Sequence, residues 1–271
     1  MKRLAWLLML GAGSASAQEA QPLWEAGVAA FGVSTPAYPG SSDRSSRLLP
    51  LPFLIYRGEV LRSDQGGIGA RLFKSDRVEF DIGFSGALPA HSKDVAARVG
   101  MPDLNTLIEF GPRVKIVLAQ PTATSRVRLE LPLRAVMEIN GGVRRQGTTF
   151  EPKLSYEMRG ADPRWGYDVS VAAVFGDRRL HRYFYEVAPA FATASRPAYQ
   201  ADAGLVLTRV GLSATYKFNE DVRLFGFVRE ESYRGAANVD SPLSRRSSGA
   251  SVGAGFTWTL GRSATLAKSA Q

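Results

Sequence analysis

Apolar and polar side chains alternate with a period of two along most of this chain, in segments of about ten residues. Successive side chains of a β-strand point to opposite faces, so this spacing predicts strands with one apolar and one polar face. The clearest segment is 251–260, and its apolar face consists of Val252, Ala254, Phe256, Trp258 and Leu260. Such a pattern favours an all-β protein and disfavours a helical one.

The same alternation gives a strand count. Clear segments are 77–85, 107–118, 126–134, 150–159, 165–175, 206–218 and 251–260, and weaker ones are 23–34, 48–57, 60–73, 182–191 and 222–232. Together they predict twelve strands. Segment 48–57 contains Pro50 and Pro52, which cannot donate to a strand ladder. If it and 60–73 do not span, the count falls to ten.

The first seventeen residues predict a cleaved signal peptide. Lys2 and Arg3 form a positive start, residues 4–10 are almost all apolar, and Ala15-Ser16-Ala17 is a small-residue cleavage site. No cysteine follows to carry a lipid anchor. We therefore expect an exported mature chain that begins at Gln18.

The longest apolar stretch after residue 17 is 48–56, which is too short for a membrane helix and holds two prolines. An exported chain of this kind is either water-soluble or a membrane barrel, since only helices and closed barrels satisfy every backbone group in lipid. The absence of cysteine in 271 residues excludes a disulfide scaffold, a cysteine zinc site and a thiol nucleophile.

A soluble sandwich or lipocalin-like barrel would also alternate with period two. Ten-residue strands with ionisable residues concentrated on one face favour the membrane form. We therefore predict an all-β fold, an antiparallel transmembrane β-barrel of about twelve strands (ten possible) in the bacterial outer membrane. It would occupy residues 18–260 and precede a polar tail at 261–271.

The polar faces carry acidic and basic residues in similar numbers, which predicts ion pairs across a narrow or plugged lumen rather than an open porin. The candidate lumen charge network is Glu79, Asp81, Glu109, Arg113, Arg126, Arg128, Glu130 and Arg134.

Several short motifs, in order, resemble the MltA-interacting protein (MipA) / OmpV family of outer-membrane proteins. They are Pro36-Ala37-Tyr38-Pro39-Gly40-Ser41, residues 97–104 with 109–112, Leu131-Pro132-Leu133-Arg134, residues 183–185 with 196–199 and Gly204, and residues 235–237 with 240–243. The resemblance implies an outer-membrane barrel. For the namesake branch it implies a scaffold that brings a lytic murein transglycosylase together with a murein synthase, and other branches are implicated in adhesion. The resemblance implies no catalytic residues. Barrels of this kind usually end on an aromatic residue, whereas here a polar tail follows Leu260.

With twelve strands and both termini in the periplasm, loops 35–47, 192–203 and 233–248 fall outside the cell and segment 87–105 falls on the periplasmic side. That segment predicts a short helix with Ser92 as N-cap and Gly100 just past its end. We take it as a candidate partner-docking segment, with Ser92, Arg98, Gly100, Met101, Pro102 and Asp103. A miscounted strand would move it outside.

No motif predicts catalysis, a metal or a cofactor. The two histidines, His91 and His181, are far apart in sequence, and a serine beside His181 would be needed for a lipid hydrolase. The remaining alternatives are a narrow solute channel and an adhesin. Expected partners are outer-membrane lipid and lipopolysaccharide, whose phosphates suit Arg245-Arg246; nucleic acid is not expected for a secreted chain.

Overall fold

A computed structural model describes residues 21–64 and 67–267 of the chain, almost all of them in antiparallel strands or the loops between them. The signal peptide predicted at residues 1–17 lies outside the described residues, as does the end of the predicted tail. Thirteen strands are described: β1 (Trp24–Pro36), β2 (Arg44–Arg57), β3 (Leu61–Asp64), β4 (Gly67–Lys74), β5 (Val78–Ala87), β6 (Thr106–Thr122), β7 (Ser125–Ile139), β8 (Val143–Phe150), β9 (Lys153–Arg159), β10 (Trp165–Gly176), β11 (Gly204–Lys217), β12 (Val222–Ser232) and β13 (Ser248–Arg262).

The strands form one closed antiparallel sheet. Neighbours in sequence pair around the ring, β13 pairs with β1, and the pairing of β10 with β11 completes it. Strands β8 and β9 follow one another between the same two neighbours, because β7 and β10 pair with both of them. Together they take the place of one strand, so the barrel wall is twelve strands around. Among the described residues, no helix is long and apolar enough to cross a membrane.

Two of the predicted strands were wrong in ways that cancel in the count. Segment 60–73 is a hairpin of two short strands, β3 and β4, rather than one strand. The predicted strand at 182–191 is instead a helix, α1 (Arg178–Tyr185), followed by a 3-10 turn at Pro189–Phe191. The side chain of Asp177 accepts a hydrogen bond from the N–H of Leu180, and this N-cap starts the helix.

The two parities of each strand face different surroundings, as the alternation predicts. On β13 the outer side chains Val252, Trp258 and Leu260 are about half exposed or more, while Ser251 and Thr259 face the interior and are buried. Exposed aliphatic and aromatic side chains recur on the outer face around the ring, which matches a barrel surrounded by acyl chains. The fold prediction is confirmed.

The barrel has two unlike ends. The terminal end, where both termini lie, has short connections at 58–60, 75–77, 123–124, 160–164 and 218–221. The opposite loop end has long ones at 37–43, 88–105, 177–203 and 233–247. Segment 88–105 therefore lies at the loop end, and its predicted placement on the same side as the termini was wrong. The reason is the β3–β4 hairpin, which reverses the chain once more than a single strand does.

Within that segment, two 3-10 turns (Ser92–Asp94 and Ala96–Arg98) replace the predicted helix. Ser92 is not the N-cap: His91 is, and the Ser92 hydroxyl donates to the carbonyl of Pro102 at 2.5 Å. Gly100 follows with φ of +80°, a conformation that glycine adopts without strain. At the C-terminus, β13 runs to Arg262, and the Ser263 N–H continues the pairing to the carbonyl of Trp24.

Candidate functional site: the lumen and its two ends

The four long loops of the loop end fold together into a cap with its own apolar core. We use the name cap for residues 37–43, 88–105, 177–203 and 233–247. Its buried core consists of Tyr38, Ala90, Val95, Ala97, Leu104, Tyr185, Val187, Ala201 and Leu243. The Tyr38 hydroxyl donates to the carbonyl of Leu243 at 2.6 Å, and burial raises the pKa of Tyr38 to about 12. A core made from all four loops fixes them relative to one another.

Two buried arginines join cap segments through backbone carbonyls. Arg98 donates to the carbonyls of Phe184 (3.1 Å) and Pro102 (3.2 Å). Arg196 donates from Nη1 to the carbonyls of Ala97 and Val99, each at 3.0 Å. A guanidinium offers five donors in a fixed plane, so one side chain can satisfy several carbonyls that a loop leaves unpaired.

His181 and Asn238 form a second junction, between α1 and the loop after β12. Asn238 Nδ2 lies 2.6 Å from His181 Nδ1, and His181 Nε2 lies 3.0 Å from the carbonyl of Gly204. The carbonyl can only accept, so the ring donates from Nε2 and accepts at Nδ1. Desolvation by burial lowers the pKa of His181 and favours this neutral form. Both ring nitrogens are thus occupied, and no serine hydroxyl contacts them among the described hydrogen bonds.

The predicted docking segment lies in this cap. Ser92 and Arg98 are buried and serve as internal contacts, whereas Gly100, Pro102 and Asp103 are exposed and Met101 is half-buried. Asp103 accepts hydrogen bonds from the Ser92 N–H at 2.7 Å and contacts His91 at 2.9 Å. Two of the six candidate residues are therefore not available to a partner.

The predicted lumen charges lie together on the inner face of β5, β6 and β7. Arg113 donates two hydrogen bonds to Asp81, at 2.9 and 2.7 Å, and lies 3.6 Å from Glu130. Lys115 bridges Glu79 and Asp81, each at 2.9 Å. These five side chains make one connected set of ion pairs in which every charge has an opposite neighbour.

The other predicted network members extend this set around the wall. Arg128 contacts Glu130 and Glu157, and Arg126 contacts Glu157. Nearer the cap, Arg134 pairs with Glu151 at 2.9 Å and lies 3.6 Å from Glu109. Glu231, which the sequence did not indicate, also joins this set: Arg209 lies 3.1 Å from Glu151 and 2.8 Å from Glu231.

Below the ion pairs, the terminal end opens into a strongly basic cavity of about 350 Å³. Nine basic side chains and two acidic ones line it, with Arg57, Arg77, Arg126, Arg159 and Arg223 among the basic ones. Among the described residues, Arg77 and Arg159 have no acidic partner within salt-bridge distance, and both are exposed at the rim. Several of the other basic side chains, Arg57 and Arg126 among them, are paired with carboxylates, so the two exposed rim arginines are the groups that attract anions here.

Aromatic side chains line another part of the lumen wall. Phe31 on β1 and Phe225 on β12 meet inside the barrel with ring centroids 6.0 Å apart. Gly253 on β13 leaves the space into which Phe227 and Phe31 pack. This side of the lumen carries charged groups as well, since the Arg229 guanidinium lies over the Phe227 ring, 4.5 Å from its centroid. Among the described residues, no group of three or more potential ligands could hold a metal ion.

Comparisons with known proteins give one family and several structural likenesses. A family model described as "MltA-interacting protein MipA" matches residues 28–260. None of the curated proteins matches the chain. Among solved structures, the NanC porin matches with a TM-score of 0.44 and 10% identity, over 86% of this chain and 100% of the other.

Two further structures are similar at the same level. The COG4313 outer membrane channel from Pseudomonas putida F1 matches with a TM-score of 0.49 and 11% identity, over 89% of this chain and 96% of the other. The outer membrane phospholipase A from Escherichia coli gives 0.34 and 11%, over 88% and 94%. At these identities and scores, the likenesses carry no argument about what this chain binds or does.

Proposed function

The chain belongs to the MltA-interacting protein MipA family, and we propose that it is a non-enzymatic adaptor of the outer membrane that binds murein-handling proteins at its terminal end. The partners we propose are an MltA-type lytic transglycosylase and, through it or beside it, a murein synthase. The observation that carries this proposal is the basic mouth of the terminal end, where Arg77 and Arg159 are exposed and have no acidic partner among the described residues.

The orientation of the barrel supports this proposal. Outer-membrane barrels have short periplasmic turns and long extracellular loops. The short connections of this barrel lie at the terminal end, so the basic mouth faces the periplasm, where murein and its enzymes are. The cap then faces outward. The docking surface we propose is accordingly the terminal end and not segment 88–105.

The capped loop end also favours an adaptor over a channel. The cap covers this end, and the ion pairs of Asp81, Arg113, Lys115 and Glu130 lie buried along the wall below it, between neighbouring strands. A solute that separated these buried pairs would have to overcome a cost of several kcal/mol per ion. The same groups give no arrangement of nucleophile and base.

A binding measurement tests the adaptor proposal. The full-length mature barrel in detergent is immobilised and a purified MltA-type transglycosylase is passed over it. We expect binding that falls at least tenfold when Arg77→Glu and Arg159→Glu are combined, because opposite charge at the rim repels an acidic partner surface. Binding should weaken with salt.

The control variant combines Arg179→Glu and Arg246→Glu, two exposed arginines of the cap. It makes the same change in net charge at the other end of the barrel. Equal loss in both double variants, or no binding by the unaltered protein, would contradict docking at the terminal end.

A further inference from the structure

The ring of strand pairing is complete near the termini, but beyond the short β3–β4 hairpin the barrel wall is interrupted between β2 and β5. Strand β2 pairs with β1 along its whole length, but on its other side it pairs with β3 only at Tyr56 and Arg57. Strand β5 pairs with β4 only as far as Gly83. Among the described residues, the upper part of β2 and the segment Phe84–Ala87 therefore have no strand partner on the sides that face each other.

Exposure shows that this interruption is an opening. Paired strands of this wall mostly alternate between more and less exposed residues, but Pro50, Leu51 and Pro52 are exposed one after another, as are all residues of Phe84–Ala87. Leu51 has the inner parity of β2 and is still 53% exposed. Both faces of each strand edge are accessible, so the lumen communicates with the surroundings at the level of the bilayer.

The prolines show that this edge is suited to remain unpaired. The N–H of Arg57 donates to the carbonyl of Leu23 next to β1, at 2.8 Å, and the β1–β2 register has no shift. Odd-numbered residues of β2 therefore bond toward β1, and Pro50 and Pro52 face the opening. Proline leaves no N–H unsatisfied there, which matters in lipid, and it prevents a further strand from pairing.

The inner face of β2 beside the opening carries an apolar track with a cation above it. Leu49, Leu51 and Phe53 follow one another along this face, and Phe53 packs over Gly27. The side chain of Arg47 lies on the same face of β2, two residues before Leu49 and closer to the cap. Its Nη2 donates to the carbonyl of Pro89 at 3.0 Å, and its buried Nε has no hydrogen-bond partner among the described residues.

We propose that the opening between β2 and β5 is a lateral binding site for a single acyl chain with an acid headgroup, entered from the membrane. The chain lies along Leu49, Leu51 and Phe53, and the carboxylate or phosphate accepts a hydrogen bond from the Arg47 guanidinium. Acyl chains surround the outer face of a membrane barrel, so they are the apolar molecules that reach this opening. The inference is independent of the adaptor function.

Photo-crosslinking locates the chain directly. The mature barrel in detergent is incubated with a long-chain fatty acid that carries a diazirine near the end of its chain, irradiated and mapped by mass spectrometry. We expect adducts concentrated in residues 47–53 and 84–87. Adducts spread evenly over the outer faces of β10 to β13 would mean annular contact only and would overturn the proposal.

A second measurement tests the headgroup. Binding of a fluorescent fatty acid is compared with binding of its methyl ester. Arg47→Gln should weaken the acid about tenfold, since a charge-assisted hydrogen bond is lost, and leave the ester unchanged. Leu51→Gln should weaken both, and its exposure makes misfolding no concern. Arg246→Gln in the cap is the matched control. Identical binding by all variants would overturn the site.

Discussion

Asn238 donates a 2.6 Å hydrogen bond to Nδ1 of His181 and so holds the buried imidazole in its neutral form, with Nε2 bonded to the carbonyl of Gly204. This pair joins helix α1 to the loop after β12. Neither residue stands out in the sequence as a structural pair, because fifty-seven positions separate them.

The first prediction concerns pH. The pKa of His181 is lowered by burial, so the unfolded cap binds a proton that the folded cap does not. The stability from this group is therefore present above the unfolded pKa of about 6.5 and is lost as pH falls through the lower folded value. Hydrogen exchange of residues 177–203 and 233–247, corrected for intrinsic rates, should be faster at pH 5 than at pH 7.5.

Two variants separate His181 from the other groups of the cap. Asp177 and Asp202 face the same ring, and the second histidine of the cap, His91, is exposed and contacts Asp103. His181→Gln should exchange faster than the unaltered protein at pH 7.5 and change little between the two pH values. His91→Gln should keep the acid-induced loosening. If the His181→Gln cap loosens on acidification as much as the unaltered cap, another group is responsible.

The second prediction is that Asn238→Ala loosens the cap and spares the barrel. The change leaves Nδ1 of His181 and the carbonyl of Asp202 without their donor. Each buried group left unpaired costs about 1–3 kcal/mol. Limited proteolysis should cut within 177–203 or 233–247 at a protease concentration that leaves the unaltered protein intact, while the heat-modifiable gel shift persists. Ser247→Ala, at an exposed cap position, should behave as the unaltered protein does.

The third prediction concerns the ion pairs of the lumen. Asp81→Asn removes the charge that Arg113 and Lys115 share, and breaking a buried pair costs about 3–5 kcal/mol. Urea unfolding in lipid vesicles should show this loss, and the double change with Arg113→Gln should cost less than the two single changes added. Asp162→Asn is the matched control, because its partner Arg164 is exposed and the loss should not be measurable. Additive costs at Asp81 and Arg113 would contradict a coupled network.

The fourth prediction is that the barrel does not conduct. The cap covers the loop end and buried ion pairs line the wall below it, so we expect purified protein in a planar bilayer to give no large, stable conductance. A porin of known conductance in the same bilayer is the control. A steady large current from the unaltered protein would favour the channel alternative over the adaptor.

The fifth prediction concerns the orientation of the barrel in the outer membrane. The chain has no cysteine, so an introduced cysteine is the only thiol of the protein that a maleimide can label. Lys93→Cys in the cap should react with a membrane-impermeant maleimide on intact cells, and Ala161→Cys in a terminal-end turn should react only after permeabilisation. The reverse pattern would place the basic mouth outside the cell and would contradict the adaptor proposal.

The strand alternation, the apolar outer face and the polar inner face were predictable because they depend on local spacing. The residues from Val252 to Leu260 show this well, since each side chain is on the face that its parity predicts. The helix α1 was missed because Arg178–Tyr185 is short and its aromatic residues also suit a strand. The β3–β4 hairpin was missed because its two strands are too short to show an alternation of their own.

The structure shows that the motifs of the family resemblance contact one another, which the sequence did not predict. Tyr38, Arg98, Tyr185 and Leu243 come from four separate motifs and meet in the cap. No sequence spacing predicts that they touch, because the contacts depend on how the closed wall brings the loops to one end.

The sequence by itself determined that this chain forms a barrel with a charged lumen, because a period of two fixes which face each side chain takes. Only the tertiary structure decided which charges pair, which end carries the long loops and where the wall opens. Those features depend on strand register and on one additional chain reversal, and a shift in either leaves the local pattern unchanged while it moves every distant contact.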